Sequence, residues 1–170
     1  MPISMYQASI PACLQMLSSL SGVLDKAAAH AAARKIEPSV LLTARLYPDM
    51  FPLVRQIQLT ADFAKSTAAR LAGIEPPKYP DTETTFDELK ARLAKTAEFL
   101  KGLKPAQIDG SEAREITLPI GGQPMTFKGQ PYLVNFALPN LYFHATTAFA
   151  ILRHWGIEIG KRDYIGALPS

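Results

Sequence analysis

The chain has 170 residues, of which 48% are hydrophobic and 19% are charged, and its formal net charge at pH 7 is +3. These values are ordinary for a soluble domain long enough to bury a core, so we expect a single domain over residues 1–170. Lys and Arg are spread along the chain without basic runs, which argues against a nucleic-acid partner. The longest apolar stretches are interrupted before about 18 residues, so no membrane span is predicted.

Cysteine usage and the first residues indicate the compartment. Cys13 is the only cysteine, so an internal disulfide is excluded, as suits a reducing cytoplasm. No Lys or Arg precedes Lys26, whereas a signal peptide needs basic residues near its start. We therefore expect a cytoplasmic protein. Cys13 lies on the apolar stripe of the first predicted helix and is expected to be an inert buried thiol.

The first half of the chain predicts two amphipathic helices. An apolar stripe with a spacing of three or four residues runs over 6–28, and Pro11 within it predicts a kink or a late start. A second helical segment opens after Pro38, is interrupted by "YPDMFP", and resumes until Gly73, a suitable C-cap.

The second half predicts two more helices with a hairpin between them. Thr85 and Glu88 form a capping box that starts the third helix, which closes at Gly102. Two β-prone runs around a glycine pair, in "REITLPIGGQPMTFKG", predict a β-hairpin at about 113–129. The last helix is expected to begin near Pro131 and to end at Gly156. The fold prediction is all-α: an antiparallel up-and-down four-helix bundle with a small β-hairpin insert before the last helix.

The last helix carries a histidine at the centre of its apolar stripe. At about 100° per residue, the apolar positions of this helix cluster within about 60° of His144. Asn140 shares this stripe one turn earlier, within reach of a side-chain contact. His154 lies about 15 Å further along the axis, so it is interpreted as a helix-end residue that cannot share a metal with His144.

His144 has two readings, and the residues leave both open. It is either a neutral core histidine that hydrogen-bonds Asn140 or a tyrosine, or part of a functional pocket in the interior of the bundle. The pocket candidates are His144, Asn140, Gln58 and Asp62, with Arg55 on the same side as the last two. Gln58 and Asp62 lie away from the apolar stripe of their own helix, which favours a solvated or ion-paired face for them.

Three segments carry a family resemblance: "MFPLVRQIQLTADFAKSTAARLAG", "TFDELKARLAKTAEFLK" and "ALPNLYFHATTAFAILRHWGIEIGKRDYIG". They resemble a bacterial family of unknown function allied to the DinB/YfiT-like metalloenzyme superfamily, over nearly the whole chain. The resemblance implies a DinB-like up-and-down four-helix bundle that is often dimeric. It also implies a divalent metal held by one histidine of the second helix and two of the fourth, and a thiol-dependent transferase activity in some relatives.

These ligands do not carry over to this sequence. His144 matches one ligand of the fourth helix, but the positions four residues away are Asn140 and Ala148. No histidine lies between His30 and His144, so the second-helix ligand is missing. Since a zinc site needs at least three N, O or S donors, no metal and no cofactor are predicted.

Two function hypotheses follow. The first is an uncharacterised cytoplasmic bundle with a degenerate metal pocket, which binds a small ligand or has a structural role. The alternative is a transferase or hydrolase in which His144 acts as base or as sole strong metal ligand, helped by Asn140 and Asp62. Leu59, Phe63 and Phe149 fall away from the main stripes of their helices, and their exposure in a monomer predicts a homodimer.

Overall fold

The computed structural model describes residues 3–167. These residues form mainly helices, with one small antiparallel sheet before the last helices. The elements in chain order are α1 (Met5–Arg34), α2 (Pro38–Leu42), α3 (Leu53–Ala72), α4 (Phe86–Gly102), α5 (Pro105–Ile108), β1 (Glu115–Ile120), β2 (Gln123–Lys128), α6 (Gly129–Tyr132), a π-helical turn (Leu133–Ala137), α7 (Leu138–His154) and α8 (Lys161–Ile165).

Helix α1 begins before Pro11, so the late start considered for it is wrong. Ser4 and Gln7 form a capping box, in which each side chain accepts a hydrogen bond from the backbone N–H of the other. The box satisfies donors at the first turn and fixes the start there. Pro11 is then accommodated inside the helix, because proline removes one donor but the surrounding apolar stripe still packs.

The predicted helix ends are confirmed in α3 and α4. Gly73 caps α3 with φ +71°, a left-handed conformation that glycine adopts readily. The capping box at the start of α4 is present, since Thr85 accepts from the Glu88 N–H and Glu88 accepts from the Thr85 N–H. The break before α3 separates it from the short α2, as its prolines predict.

The hairpin lies inside the predicted range. Its strands pair antiparallel from Glu115↔Lys128 to Ile120↔Gln123, and Gly121 and Gly122 form the turn with positive φ. Ile116 and Leu118 of β1 are buried. Since a two-stranded sheet alone is marginally stable, this apolar contact is what holds the hairpin to the rest of the domain.

The chain after the hairpin is helical from Gly129 to His154, but with a change of pitch. The π-helical turn at 133–137 lies just before Pro139, which cannot donate to a carbonyl one turn earlier. The Nδ2 of Asn140 donates to the Phe136 carbonyl at 2.7 Å, one residue after the Asn135 carbonyl that Pro139 would leave free in an α-helix. His154 ends α7, as expected.

The four long helices, α1, α3, α4 and α7, surround one core. Helix α3 packs on α7, α4 and α1, while α1 also packs on α4, α7 and α8. Leu59, Phe63 and Phe149 are half-buried within the chain itself, Phe63 against Phe136 and Phe149 against Tyr164. These three side chains are thus only partly exposed, which is less than the dimer prediction assumed. Within residues 3–167, no helix is long and apolar enough to cross a bilayer.

Candidate functional site

His144 lies where α7 packs on α3, and only 8% of its surface is exposed. Its Nδ1 is 2.8 Å from Oε1 of Gln56, a buried residue of α3. Its imidazole ring stacks on Phe63 and meets the edge of Phe143. The partner of His144 is therefore Gln56 rather than Asn140 or a tyrosine. The side-chain amide of Asn140 donates instead to the Phe136 carbonyl in the preceding π-helical turn.

The hydrogen bonds of Gln56 determine the tautomer of His144. The Gln56 Nε2 donates to the Phe51 carbonyl at 3.1 Å, and a carbonyl can only accept, so Oε1 is the atom that faces His144. Nδ1 of the neutral imidazole therefore carries the hydrogen, and Nε2 keeps its lone pair. Among residues 3–167, Nε2 has no hydrogen-bonding partner, and it is not one of the fully buried unpartnered atoms.

The surroundings of His144 keep its ring uncharged. Burial lowers the pKa of His144 below its ordinary value of 6.5, and the positive charge of Arg55 lowers it further. A neutral imidazole with a free Nε2 lone pair can accept a hydrogen bond or a proton. Because its pKa is lowered, His144 is not expected to carry a positive charge near neutral pH.

Gln58 and Asp62 do not contact His144; both belong to a cluster of polar and charged side chains around the buried Arg92. Arg92 of α4 has only 2% of its side chain exposed, and its two terminal nitrogens contact three carboxylates at 2.8–2.9 Å and the Pro80 carbonyl at 3.0 Å. We call this cluster the Arg92 network; its members are Arg55, Gln58, Asp62, Lys65, Asp81, Glu83 and Arg92.

The Arg92 network ties the proline-rich segment after α3 to both α3 and α4. Gln58 donates to Glu83 at 2.9 Å and accepts from Arg55, so its amide is used at both ends. Asp62 accepts from both Lys65 and Arg92. Desolvation by itself would raise the pKa of Glu83, but hydrogen bonds from Arg92 and Gln58 outweigh it and hold that pKa below its ordinary value. The charges of the network are thus paired with one another, while the buried Nε of Arg92 has no hydrogen-bond partner within residues 3–167.

Tyr79, in the proline-rich segment after α3, also helps to hold that segment against α3 and α4. The Tyr79 ring lies 4.8 Å from the Lys65 Nζ and 4.3 Å from the Lys95 Nζ. Cations over an aromatic face are attracted by its quadrupole. Together with the carboxylates, this ring fixes the course of the chain between α3 and α4.

Phe63 also lines a groove between α3 and the β-hairpin. We call it the hairpin groove; its volume is about 240 Å³, and it is lined by Leu59, Asp62, Phe63, Ser66, Arg70, Leu118, Pro119 and Phe136. It continues into a depression of about 660 Å³ bounded by the proline-rich segment, which shares Arg70 and Leu118 with it. Mostly apolar walls with a few polar groups are typical of small-molecule sites.

Arg70 is the basic residue of the hairpin groove that lacks a carboxylate. Its terminal nitrogen donates to the hydroxyl of the fully buried Tyr132 at 3.1 Å. Within residues 3–167, it forms no ion pair. Sequence reasoning missed Arg70, because its position near the end of α3 looks like ordinary pairing of a cation with a helix C-terminus.

The residues around His144 do not fit a resident metal ion. In the described part of the chain, no three His, Cys, Asp or Glu side chains lie close enough together to hold one. The polar partner of His144 is an amide, and two phenyl rings occupy the adjoining space. A zinc site needs at least three N, O or S donors, and this set does not supply them.

Cys13 is a buried thiol away from these groups. Burial raises the pKa of Cys13 to about 12, so the reactive thiolate is not formed near neutral pH.

The sequence reasoning missed Gln56, although its spacing along α3 indicates that it is buried. Gln56 and Thr60 repeat at helical spacing with Leu53 on a face that is buried in the structure.

These features define a mainly helical domain with a short antiparallel sheet before its last helices and with buried polar groups on α3 and α7. Residues 5–165 match the family model described as Domain of unknown function (DUF1993), and the chain belongs to that family. The chain is 40% identical to a DinB family member protein from Shewanella denitrificans, whose crystal structure was solved at 1.83 Å resolution. The match covers 97% of this chain and 93% of that chain, with a TM-score of 0.88.

No curated protein matches the chain significantly. The family match and the structural neighbour confirm the predicted resemblance to a family of unknown function allied to DinB-like proteins. They add no substrate or reaction.

Proposed function

We propose that the protein is a small-ligand-binding helical bundle whose ligand occupies the hairpin groove. The observation that supports this most is the groove itself, because it combines an apolar wall from three elements with an arginine that the protein leaves without a carboxylate. In this proposal the four long helices form an up-and-down bundle, and the His144–Gln56 pair supports the wall from behind through the Phe63 ring.

A neutral aromatic probe tests groove binding without reference to charge. 3-Phenylpropionamide should shift the backbone amide signals of Leu59, Phe63 and Leu118 in a saturable way in ¹H–¹⁵N spectra. Ser66→Phe fills the groove and should abolish these shifts. The matched control is Ser18→Phe, which places the same ring in a second groove between α1 and α4 and should leave binding intact. Saturable shifts that persist in Ser66→Phe, or none in the wild type, would contradict the proposal.

The same proposal interprets the environment of His144 as a degenerate metal pocket. It predicts that zinc added to the purified protein binds with less than one equivalent at His144, because one imidazole and an amide do not trap the ion. Elemental analysis after dialysis measures this. Stoichiometric metal that disappears in His144→Ala would overturn this part of the proposal.

A second candidate function is supported by the free lone pair of His144. The Phe51–Gln56–His144 chain of hydrogen bonds presents Nε2 unprotonated, as a general base in a transferase or hydrolase would be. Diethyl pyrocarbonate, which acylates unprotonated imidazole nitrogens, should modify His144 in the folded protein at near-neutral pH. Peptide mapping, with His30 and His154 as internal references, would exclude this role if His144 stayed unmodified.

We also infer that the protein is a homodimer in the cytoplasm. The inference rests on two exposed phenylalanines that differ from the three residues considered in the sequence. Phe143 is 57% exposed and Phe51 is 54% exposed, and each adjoins the residues that hold His144. Such exposed rings are typical of contact surfaces. Sedimentation at micromolar concentration should give a dimer that Phe143→Asp dissociates; a monomeric wild type would contradict the inference. No nucleic-acid partner is proposed, because Arg92 is paired with carboxylates of the protein itself and is not offered to phosphates.

A further inference from the structure

We infer that the ligand of the hairpin groove is a small monocarboxylic acid with an aromatic or branched apolar body. This inference rests on the proposed function and names the chemical class of the ligand. It follows from the hydrogen-bonding state of Arg70, the charges that line the groove, and the shape of its apolar wall.

Arg70 has donors to spare and is held in place. A guanidinium carries N–H donors on both terminal nitrogens and on Nε, and its planar fork matches the two oxygens of a carboxylate. One terminal nitrogen of Arg70 is fixed by the Tyr132 hydroxyl at 3.1 Å, and the guanidinium lies 6.0 Å from the centre of that ring. Because Tyr132 is fully buried, it anchors the arginine against a rigid part of the fold.

The other charges near Arg70 favour an anion. Lys65 and Asp62 neutralise each other, and Asp62 is also shared with Arg92. Beyond them, the wider depression adds one exposed cation, Lys78, and one exposed anion, Glu75. Lys78 and Glu75 form no ion pair within residues 3–167, but their opposite charges add no net charge to the depression. The charge of Arg70 is therefore left over, and it lies beside apolar side chains that weaken its contact with water.

The apolar wall sets the shape of the rest of the ligand. Phe63 and Phe136 meet edge to face with ring centres 6.0 Å apart, and Leu118 of β1 closes the opposite side. A ring or branched chain fits between such surfaces, whereas a highly charged phosphate ester would lose its hydration there without a second free cation in the groove. A ligand with a single carboxylate at the end of an apolar body matches both Arg70 and the apolar wall of the groove.

Paired titrations test the inference separately from the proposed function. 3-Phenylpropionate and its neutral isostere 3-phenylpropionamide are titrated into the wild type, Arg70→Met, Arg70→Lys and Lys101→Met, with backbone amide shifts as readout. The acid should bind the wild type about tenfold or more tightly than the amide, as a charge-assisted bidentate contact predicts. Arg70→Met should remove this preference, and Arg70→Lys should retain only part of it.

Lys101→Met is the matched control, because it removes one positive charge from the groove between α1 and α4 and should keep the full preference. Equal affinities of acid and amide in the wild type would overturn the inference and leave groove binding in place. A preference that survives Arg70→Met would overturn it as well. Failure of both probes to shift the groove signals of the wild type would overturn the proposed function together with the inference. If Arg70→Met does not fold, the wild-type ratio and Arg70→Lys decide.

Discussion

Arg92 of α4 and Arg70 of α3 show two uses of the same side chain in neighbouring regions, since Asp62 both binds Arg92 and lines the hairpin groove. Arg92 is buried, and its two terminal nitrogens contact three carboxylates and a carbonyl, so its charge is paired within the protein although its buried Nε has no partner among residues 3–167. Arg70 contacts one neutral hydroxyl and lines an apolar groove. The first arrangement explains stability, because its charges are paired within the protein. The second contributes little to stability and leaves donors unused.

The comparison separates structural from functional polar groups in a protein of unknown activity. A buried charge is costly unless it is paired, so a saturated network is expected wherever a loop must be fixed to helices. A cation that keeps unused donors next to apolar walls has no such structural reason. The His144–Gln56 pair lies between these extremes, because one imidazole nitrogen is satisfied and the other is free.

The largest effect is expected from Arg92→Met. This change leaves Asp62, Asp81 and Glu83 close together with only Lys65 and Arg55 to balance them. We expect the free energy of unfolding to fall by about 3 kcal/mol, as when one partner of a buried ion pair is removed and with allowance for the partial exposure of Asp81. Urea unfolding measures the change; a loss below about 1 kcal/mol would mean that the network is no more than a surface feature.

Gln56→Leu should have the next largest effect. It leaves the Nδ1 hydrogen of His144 and the Phe51 carbonyl without partners, at a cost of about 2 kcal/mol. Gln56→Glu keeps the acceptor for His144 but loses the donor to the Phe51 carbonyl, so it should recover only part of the stability. Its charge should raise the pKa of His144, measured by NMR titration of the ring. An unchanged pKa in Gln56→Glu would show that the two side chains are not in contact in solution.

The pH dependence of stability should carry a smaller contribution from His144. The unfolded chain titrates this histidine near its ordinary value of 6.5, whereas the pKa of the folded state is lower. As the pH falls below about 6.5, the unfolded state takes up the proton first, so the free energy of unfolding decreases until the folded pKa is passed. His144→Phe should lack this part of the decrease in urea unfolding between pH 7 and 5. An identical profile would contradict the assignment.

Acid should then affect the Arg92 network. The pKa of Glu83 is held below its ordinary value of 4.5, so the stabilisation is present above that value and is lost as the pH falls through the lower folded pKa. Glu83→Gln should flatten the stability profile below about pH 4.5 relative to the wild type. A profile that stays as steep would mean that other carboxylates carry the acid response.

The smallest effect is expected from Arg70→Met. Since only one hydrogen bond to Tyr132 is lost, the free energy of unfolding should fall by no more than about 1 kcal/mol. Urea unfolding alongside Arg92→Met makes the comparison direct. A loss as large as that of Arg92→Met would mean that Arg70 is structural.

Local chemistry explains which parts of this fold were predictable. The capping box at Thr85, the cap at Gly73 and the hairpin turn at Gly121–Gly122 each depend on a few adjacent residues, and each is present. The burial of His144 also followed from helical spacing alone. The start of α1 was misjudged because the capping box at Ser4 outweighs the effect of Pro11.

The contacts of the candidate site depend on residues far apart in the chain. Gln56 and His144 are 88 positions apart, and nothing local selects that glutamine over Asn140. Gln58 and Asp62 belong to a network that also needs Arg92, which lies 30 positions from Asp62 in the chain. The spacing of residues on one helix does not reveal such a partner. The hairpin groove exists only once β1 folds back on α3, so its arginine could not be distinguished from other basic residues.

The guanidinium ¹⁵N–¹H signals of the two arginines, followed through one titration with 3-phenylpropionate, test the central claim most directly. We expect the signals of Arg70 to shift with a saturating dependence on the acid while those of Arg92 stay in place. Unmoved Arg70 signals at saturating acid, or shifts at Arg92 instead, would contradict it.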